Sequence, residues 1–329
     1  MSTDQTSLLR SVADYAATYL AGSVVRPVSV AASTAQLREA LGGPLPAVGQ
    51  SAEEVLRALI AGGEPGLMSS TSGRFFGFVM GGAYPVGVAT EWLMSVWDQC
   101  AALYATSPTA SVAEEASVGW LTHLFGLPAS VSAGITSGCA TANLTGLAAA
   151  RHHVLAQAGW DVEEQGLIGA PAPRVLVSEG CHVTVLRALR LLGLGGQIQL
   201  IACDAQGRMR LDALTAAVGA GTGPLIVCGQ VGNVDTGAVD PLPEVCHLVH
   251  ARRGWVHLDA AFGMWAAASP RLRSRVAGLE LADSWATDAH KWLNVPYDCG
   301  IALCAHPASH RAASAQHRST SSATPSLPR

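Results

Sequence analysis

Between about residue 134 and residue 305, short apolar runs rich in β-branched residues alternate with longer stretches of helical character. The runs are RVLVSE, QIQLIAC, PLIVCGQVG, WVHLDAAF, SWATDAHKW and GIALCA. They are apolar throughout rather than alternately apolar and polar, which is typical of strands buried on both faces. The strand–helix order therefore predicts an α/β fold with a mainly parallel sheet covered by helices. Ligands of such sheets bind at the carboxyl ends of the strands.

The segments on either side have a different character. The N-terminal part contains helical patterns, among them AEEVLRALIAGG, which Ser51 and Glu54 open as a capping box. It also contains a loop rich in glycine and aromatic residues, SSTSGRFFGFVMGGAYP. We predict a helical arm over residues 1–110, the sheet domain over 111–305, and a polar, disordered, Ser- and Ala-rich tail over 306–329.

Composition excludes several classes of function. No apolar run reaches the roughly 18 residues of a membrane span, so no membrane association is expected. A net charge of −4 gives no basic footprint for nucleic acid. The eight cysteines are scattered, without a CxxC pair, and MSTDQTSLLR does not resemble a secretory signal. We therefore expect reduced thiols, a cytoplasmic protein and no metal site.

Three strand ends carry candidate chemistry. In SAGITSGCATANLTG, a glycine turn leads from a short strand into a helix. This is either an ordinary strand–helix turn or a phosphate site at a helix N-terminus. A Walker loop is absent, and GLGG at 193–196 follows a helix, which disfavours a dinucleotide site. Asp259 ends WVHLD, and it either caps the next helix or holds a proton on a heterocyclic nitrogen.

Lys291 is the only lysine in the chain, which has 20 basic residues. A genome rich in G and C would favour arginine without any functional reason, but an amine can also form a Schiff base with an aldehyde. A phosphate cradle, a buried carboxylate and this amine together match pyridoxal phosphate, which has a phosphate, a pyridine nitrogen and an aldehyde. His182, after RVLVS, either stacks on the pyridine ring or faces solvent.

From about Arg74 to about Ala305 the sequence resembles the pyridoxal-phosphate-dependent decarboxylases of the aromatic-amino-acid, glutamate and histidine group. The resemblance rests on RFFGF, SPTASVAEEASVGWL, TSGCATANLTGLAAAR, SEGCHVTVLRALRLLG, GNVDTGAVDPL, VHLDAAF and DAHKWLNVPYDCG. It implies the large domain of the aspartate-aminotransferase fold (fold type I). It also implies decarboxylation of an L-amino acid by a homodimer.

The resemblance further implies a role for each matching residue. Lys291 would form the Schiff base, and Asp259 would pair with the pyridinium nitrogen. Ala261 and His182 would lie on opposite faces of the ring, with His182 stacked. The remaining candidates are the phosphate-binding amides of Cys139 and Ala140, His290 and Asp288 beside the lysine and phosphate, and Phe78, Val79 and Met80 near the substrate side chain.

The sequence also departs from the family pattern. Ala140 stands where the family usually has Ser or Thr, and Asp288 stands where it often has Asn or Ser. A carboxylate near a phosphate is unfavourable unless it accepts a hydrogen bond from a backbone N–H. Near HRAA the resemblance ends, well before the small C-terminal domain of the family. We therefore expect a truncated homologue, as a frameshift would produce. A non-catalytic remnant that binds the cofactor or a partner subunit, or another reaction such as transamination, stays an alternative.

Overall fold

The computed structural model describes residues 5–314, and the chain forms two compact units, Met1–Ala83 and Tyr84–Arg329. The helices of the first unit are α1 (Gln5–Gly22), α2 (Thr34–Leu41) and α3 (Ala52–Gly63), followed by a short 3-10 helix, Glu64–Gly66. The predicted capping box opens α3, because the Ser51 side chain accepts from Glu54 N while the Glu54 side chain accepts from Ser51 N.

The second unit contains the sheet. Its helices are α4 (Pro85–Trp97), α5 (Pro108–Phe125), α6 (Cys139–Gln157), α7 (Val162–Gln165), α8 (Val183–Leu191), α9 (Leu211–Gly219), α10 (Leu242–His250) and α11 (Pro307–Ser314). Its strands are β1 (Ser132–Thr136), β2 (Arg174–Ser178), β3 (Ile198–Ile201), β4 (Leu225–Gln230), β5 (Trp255–Asp259), β6 (Ser284–Asp288) and β7 (Gly300–Cys304). Each apolar run quoted above forms one strand, so those predictions are confirmed.

The strands form one sheet in the order β1-β7-β6-β5-β4-β2-β3. Neighbouring strands are parallel except at β7, which is antiparallel to both β6 and β1. Strands β1, β5 and β6 consequently run in the same direction, and their carboxyl ends lie at the same edge of the sheet. No helix within residues 5–314 has the length and apolar character needed to cross a bilayer.

Both faces of the sheet are buried, as the apolar runs predict. Val227 in β4 belongs to a core cluster that includes residues of α9 and α10. Its neighbours Ile226 and Cys228 belong to another cluster, which includes residues of α6 and α8. Side chains of successive strand residues point to opposite faces, so helices cover the sheet on both sides.

The beginning of the predicted disordered tail is a helix, α11. It packs against α6, where His153 Nδ1 lies 3.0 Å from Ser309 Oγ. His310 Nδ1 also lies 2.8 Å from Ser132 Oγ in β1. The prediction was wrong for residues 307–314 because a Ser- and Ala-rich composition does not reveal these two tertiary contacts. Residues 315–329, which the same prediction covers, lie outside the described residues.

Candidate active site

Two glycines bring the start of α6 against the sheet. Gly138, immediately before the helix, has a φ of 154°. A Cβ on Gly300, the first residue of β7, would lie only 2.5 Å from Gly138 Cα. Neither position has room or freedom for an ordinary side chain. The close approach places the first turn of α6 beside the carboxyl end of β6.

Asp288, at the end of β6, lies directly against that first turn. Its Oδ1 accepts a hydrogen bond of 2.6 Å from the backbone N–H of Cys139, and only 3% of the residue is exposed. The structure thus provides the backbone donor that a carboxylate at this position needs. The Cys139 amide, predicted to hold a phosphate, is occupied by Asp288, while Ala140 next to it is exposed.

The same carboxylate contacts the candidate amine. Lys291 Nζ lies 3.2 Å from Asp288 Oδ2, and His290 Nε2 lies 3.5 Å from Asp288 Oδ1. The His290 ring is held from two other directions, because its Nδ1 accepts from the Cys299 N–H at 3.0 Å and its face stacks on Tyr297. Lys291, His290 and Asp288 are therefore brought together, with Lys291 the most exposed of the three.

Asp259, at the end of β5, is the second buried carboxylate of this edge, with 6% of the residue exposed. Its Oδ1 accepts from the backbone N–H of Ala261 at 3.2 Å and lies 3.5 Å from Cys139 Sγ. Burial raises the pKa of the Asp259 carboxyl, while the charges of His182 and Lys291 oppose this shift. Burial also raises the pKa of the Cys139 thiol, so this sulfur stays protonated and acts as a weak donor.

The remaining predicted positions fall into two groups. His182 is exposed at the N-cap of α8, where its Nδ1 lies 2.9 Å from Thr184 Oγ1, and Ala261 is half-buried. Phe78, Val79 and Met80 lie in the first compact unit, and Phe78 is 80% exposed. Within residues 5–314, no group of three or more His, Cys, Asp or Glu side chains is placed to hold a metal ion.

Sequence reasoning missed two buried polar residues beside Asp259. Asn143 lies one helical turn after Cys139 in α6, and His257 lies two residues before Asp259 in β5, which puts it on the same face of the strand. Both are fully buried. The spacing of four in a helix and of two in a strand was visible in the sequence, but not that these two faces meet.

Comparison with known proteins decides the family. The model of the pyridoxal-dependent decarboxylase conserved domain matches residues 43–309. The chain belongs to this family. Within it, the L-2,4-diaminobutyrate decarboxylase of Rhizobium meliloti (strain 1021) is 37% identical over 227 residues, which are 67% of this chain and 43% of that protein. The aromatic-L-amino-acid decarboxylase of Bacillus atrophaeus is 30% identical over 283 residues, 84% of this chain and 57% of that protein.

The chain spans about half the length of the curated relatives it matches. Its fold is that of solved members. The crystal structure of Oryza sativa TDC with PLP and tryptamine has a TM-score of 0.87 at 24% identity, covering 97% of this chain and 68% of that one. Rhodiola rosea 4-hydroxyphenylacetaldehyde synthase has a TM-score of 0.84 at 26% identity, covering 95% and 69%. The predicted aspartate-aminotransferase-like α/β large domain is confirmed.

The residues at this edge suit the parts of pyridoxal phosphate. The amine of Lys291 suits the aldehyde, and Asp259 suits a protonated ring nitrogen, because a buried carboxylate gains most from a cationic partner. The first turn of α6 suits the phosphate because a helix N-terminus offers backbone N–H donors to an anion, although Asp288 accepts from one of them, the Cys139 N–H, in this structure. Asp288 has the same charge as the phosphate and lies against that first turn.

Proposed function

We propose that this chain binds pyridoxal phosphate through Lys291 and takes part in the decarboxylation of an L-amino acid. The single observation that carries this proposal is the meeting of Lys291, Asp259 and the start of α6 at one sheet edge, inside the segment that matches the family. When bound, pyridoxal phosphate supplies an aldehyde for an amine to attack and a ring that accepts the electrons of the bond that breaks.

Each candidate site residue has a distinct proposed role. Lys291 would bind the cofactor through Nζ, which must first lose a proton to attack the aldehyde. It would then release the cofactor to the substrate amine. Asp288, whose Oδ2 lies 3.2 Å from this Nζ, holds Lys291 in place before the cofactor arrives. Asp259 would accept a hydrogen bond from the ring N–H, and His182 would cover one face of the ring. Cys139 and Ala140 would hold the phosphate, with Ala261 on the opposite face of the ring from His182.

A titration with pyridoxal phosphate tests the cofactor assignment. We expect the wild-type chain to develop a saturable visible absorption band, and borohydride to fix the cofactor covalently on Lys291, as mass spectrometry of the digested chain would show. Lys291→Arg is the matched control, because a guanidinium keeps the charge but does not form the bond. A folded wild-type chain without a band would contradict the assignment.

Product analysis tests the reaction. Release of CO₂ from an L-amino acid with formation of the amine would support decarboxylation, whereas transfer of the amino group to the cofactor without CO₂ would contradict it. One relative is named 4-hydroxyphenylacetaldehyde synthase, so amine and aldehyde products are best quantified separately. Diaminobutyrate and aromatic amino acids are the first substrates to test, because proteins named for them are among the relatives.

A cavity of about 580 Å³ supports including the aromatic substrates. Phe262 and Trp292 both line it, and their ring centroids lie 5.6 Å apart. Phe262 follows Ala261 and Trp292 follows Lys291, so both rings are adjacent in sequence to candidate site residues. Phe78, Val79 and Met80 stay proposed contacts of the substrate side chain.

We infer that the chain forms a homodimer in the cytoplasm. Large apolar side chains are exposed on α4 and α5, among them Trp97 at 55% and Trp120 at 74%, and an exposed apolar surface of this kind indicates a protein interface. All eight cysteines are free thiols, as the cytoplasm would keep them. Analytical ultracentrifugation would test the dimer, and cell fractionation the compartment. A monomer at every concentration would contradict the first inference.

The domain limits are also proposals. We propose a cofactor-binding domain over residues 111–305, with an arm over 1–110 before it and a segment over 306–329 after it, of which α11 packs against the domain. Limited proteolysis with mass spectrometry tests these limits, since cleavage concentrates in exposed connections between domains. Rapid cleavage inside 111–305 with 1–110 left intact would contradict them.

A further inference from the structure

A line of buried hydrogen bonds ends at Asp259. Trp255 Nε1 donates to Ser284 Oγ at 2.9 Å, and the same oxygen lies 2.8 Å from His257 Nδ1. On the other side of the ring, His257 Nε2 lies 2.8 Å from Asn143 Oδ1. Asn143 Nδ2 lies 3.5 Å from Asp259 Oδ2. The three middle residues of this line are completely buried.

The chemistry of the two ends determines the direction of every bond. The indole of Trp255 can only donate, so it uses a lone pair of the Ser284 hydroxyl and leaves the hydroxyl hydrogen for His257 Nδ1. At the other end, Asp259 Oδ1 accepts from the Ala261 N–H and Asp259 Oδ2 faces Asn143 Nδ2, which leaves Asn143 Oδ1 as the acceptor turned toward His257. Both ends therefore require the same tautomer, in which His257 Nε2 carries the hydrogen. All the donors then point toward Asp259.

The imidazole of His257 is neutral, and a glycine of α6 leaves room for it. Burial lowers the pKa of His257 to about 3, so the ring carries no charge near neutral pH. A Cβ on Gly146, in the middle of α6, would lie 2.8 Å from His257 Cε1 and 2.9 Å from Nδ1. Glycine inside a helix is less favourable than alanine. The glycine at this position is accounted for by the space that the ring occupies.

The side-chain amide of Asn143 is also linked to a second candidate residue, His182. Asn143 Nδ2 also lies 3.3 Å from Thr184 Oγ1, and that hydroxyl lies 2.9 Å from His182 Nδ1. Asn143 is thus in contact with Asp259 directly and with His182 through one hydroxyl. These are the two residues proposed to touch the ring nitrogen and the ring face.

We propose that Asn143 and His257 are positioning residues that hold Asp259 as a hydrogen-bond acceptor for the ring nitrogen of pyridoxal phosphate; this inference rests on the proposed function. A carboxylate that loses water needs fixed donors to stay ionised, and an amide whose oxygen is already bound keeps its N–H directed at one target. His257 supplies that fixed bond, and Ser284 with Trp255 fixes His257.

Cofactor binding by His257→Leu tests this role with two ligands. The first is pyridoxal phosphate, and the second is its analogue with C–H in place of the ring nitrogen, which offers Asp259 nothing to pair with. We expect the variant to bind pyridoxal phosphate on the order of ten-fold more weakly, the size expected when one hydrogen bond to a charged group is lost. Binding of the analogue should change by less than about two-fold.

His257→Gln is the companion variant, because its amide can again donate to Asn143 Oδ1, and we expect it to recover most of the lost affinity. Equal weakening with both ligands would overturn the proposal, since it would mean that His257 only supports the fold. A wild-type chain that binds neither ligand is a different result: it would overturn the proposed function itself, and with it the role assigned to this line of bonds.

A second measurement needs no cofactor. Nitrogen-15 NMR of the histidine side chains, with His257→Leu to assign the resonance, reports the tautomer and charge of each ring. We expect His257 to be neutral, to carry its hydrogen on Nε2, and to keep this state between about pH 5 and 8. A hydrogen on Nδ1, or titration within that range, would overturn the proposal.

Discussion

The carboxylate of Asp288 lies 2.6 Å from the amide nitrogen of Cys139, although the two residues are 149 positions apart in the sequence. Its other oxygen lies 3.2 Å from Lys291 Nζ. One side chain therefore satisfies a free N–H at the start of α6 and also pairs with the candidate amine. A negative group is favoured at a helix N-terminus, so Asp288 and a phosphate would compete for the same environment.

Asp288→Asn should strengthen the binding of pyridoxal phosphate. The amide oxygen can still accept from Cys139, but the negative charge near the phosphate and the anionic partner of Lys291 are both removed. We expect binding about five-fold tighter or more, measured by quenching of tryptophan fluorescence at constant ionic strength. Asp298→Asn, an exposed aspartate of the same segment, removes the same charge and should have little effect. Weaker binding by Asp288→Asn would show instead that the carboxylate is needed to align Lys291.

Gly146→Ala should destabilise the protein, although alanine is the better helix former. The new methyl group would press on His257, which hydrogen bonds to Ser284 and Asn143 hold in place. We expect a loss of about 1–3 kcal/mol in the free energy of unfolding from urea titration, the usual cost of overpacking a core.

Gly119→Ala is the matched control for this helix substitution. Gly119 lies within α5 and nothing would lie within 4 Å of a Cβ there. We expect this variant to gain about 0.4–1 kcal/mol. If both variants were stabilised alike, His257 would not be held against α6 in the way that the structure shows.

His257→Gln should make the stability of the protein depend less on pH in mild acid. Burial lowers the pKa of His257 to about 3, so the folded chain excludes a proton that the unfolded chain binds below about pH 6.5. The contribution of the neutral ring is full above that pH and declines as the pH falls, by up to about 1.4 kcal/mol per pH unit. Urea unfolding at several pH values should show the smaller slope in the variant. The exposed His247→Gln serves as control, and identical slopes for wild type and His257→Gln would contradict the prediction.

His250 should show the opposite dependence. Its hydrogen bond to Asp283, at 2.9 Å, raises the pKa of His250, so the pair stabilises the fold below about pH 6.5 and loses this contribution as the pH rises through the folded value. Since 39% of the His250 side chain is exposed, we expect less than about 1 kcal/mol. His250→Gln should therefore cost more stability at pH 6 than at pH 8.5, measured by thermal unfolding. A larger cost at the higher pH would contradict this.

The sequence alone predicted the sheet and its site edge for a physical reason. Strands buried on both faces are apolar along their whole length, and the polar residues that interrupt them mark their carboxyl ends. Asp259 and Lys291 follow such runs and are therefore candidates on sequence grounds, and the family resemblance adds Asp288. The roles assigned to them from that resemblance stay predictions.

What the sequence did not show depends on contacts between distant segments. The apolar run GIALCA predicts a strand but carries no sign of its direction, and β7 is antiparallel to both neighbours. The Ser- and Ala-rich beginning of the tail forms α11 because Ser309 and His310 find partners in α6 and β1. Asn143 and His257 meet only because one face of α6 lies on one face of β5.

The pairing of β1 with β7 sets a time at which the site can form. Ser132 Oγ contacts the carbonyl of Cys304, which lies 172 residues later in the chain. Gly300, the first residue of β7, packs against Gly138 in the turn before α6. At the usual rate of protein synthesis, β1 would leave the ribosome roughly ten to thirty seconds before its partner exists. Contacts between such distant residues also carry a large entropic cost and form late in folding. A growing chain therefore has neither this pairing nor the complete cofactor edge until residue 304 has been added.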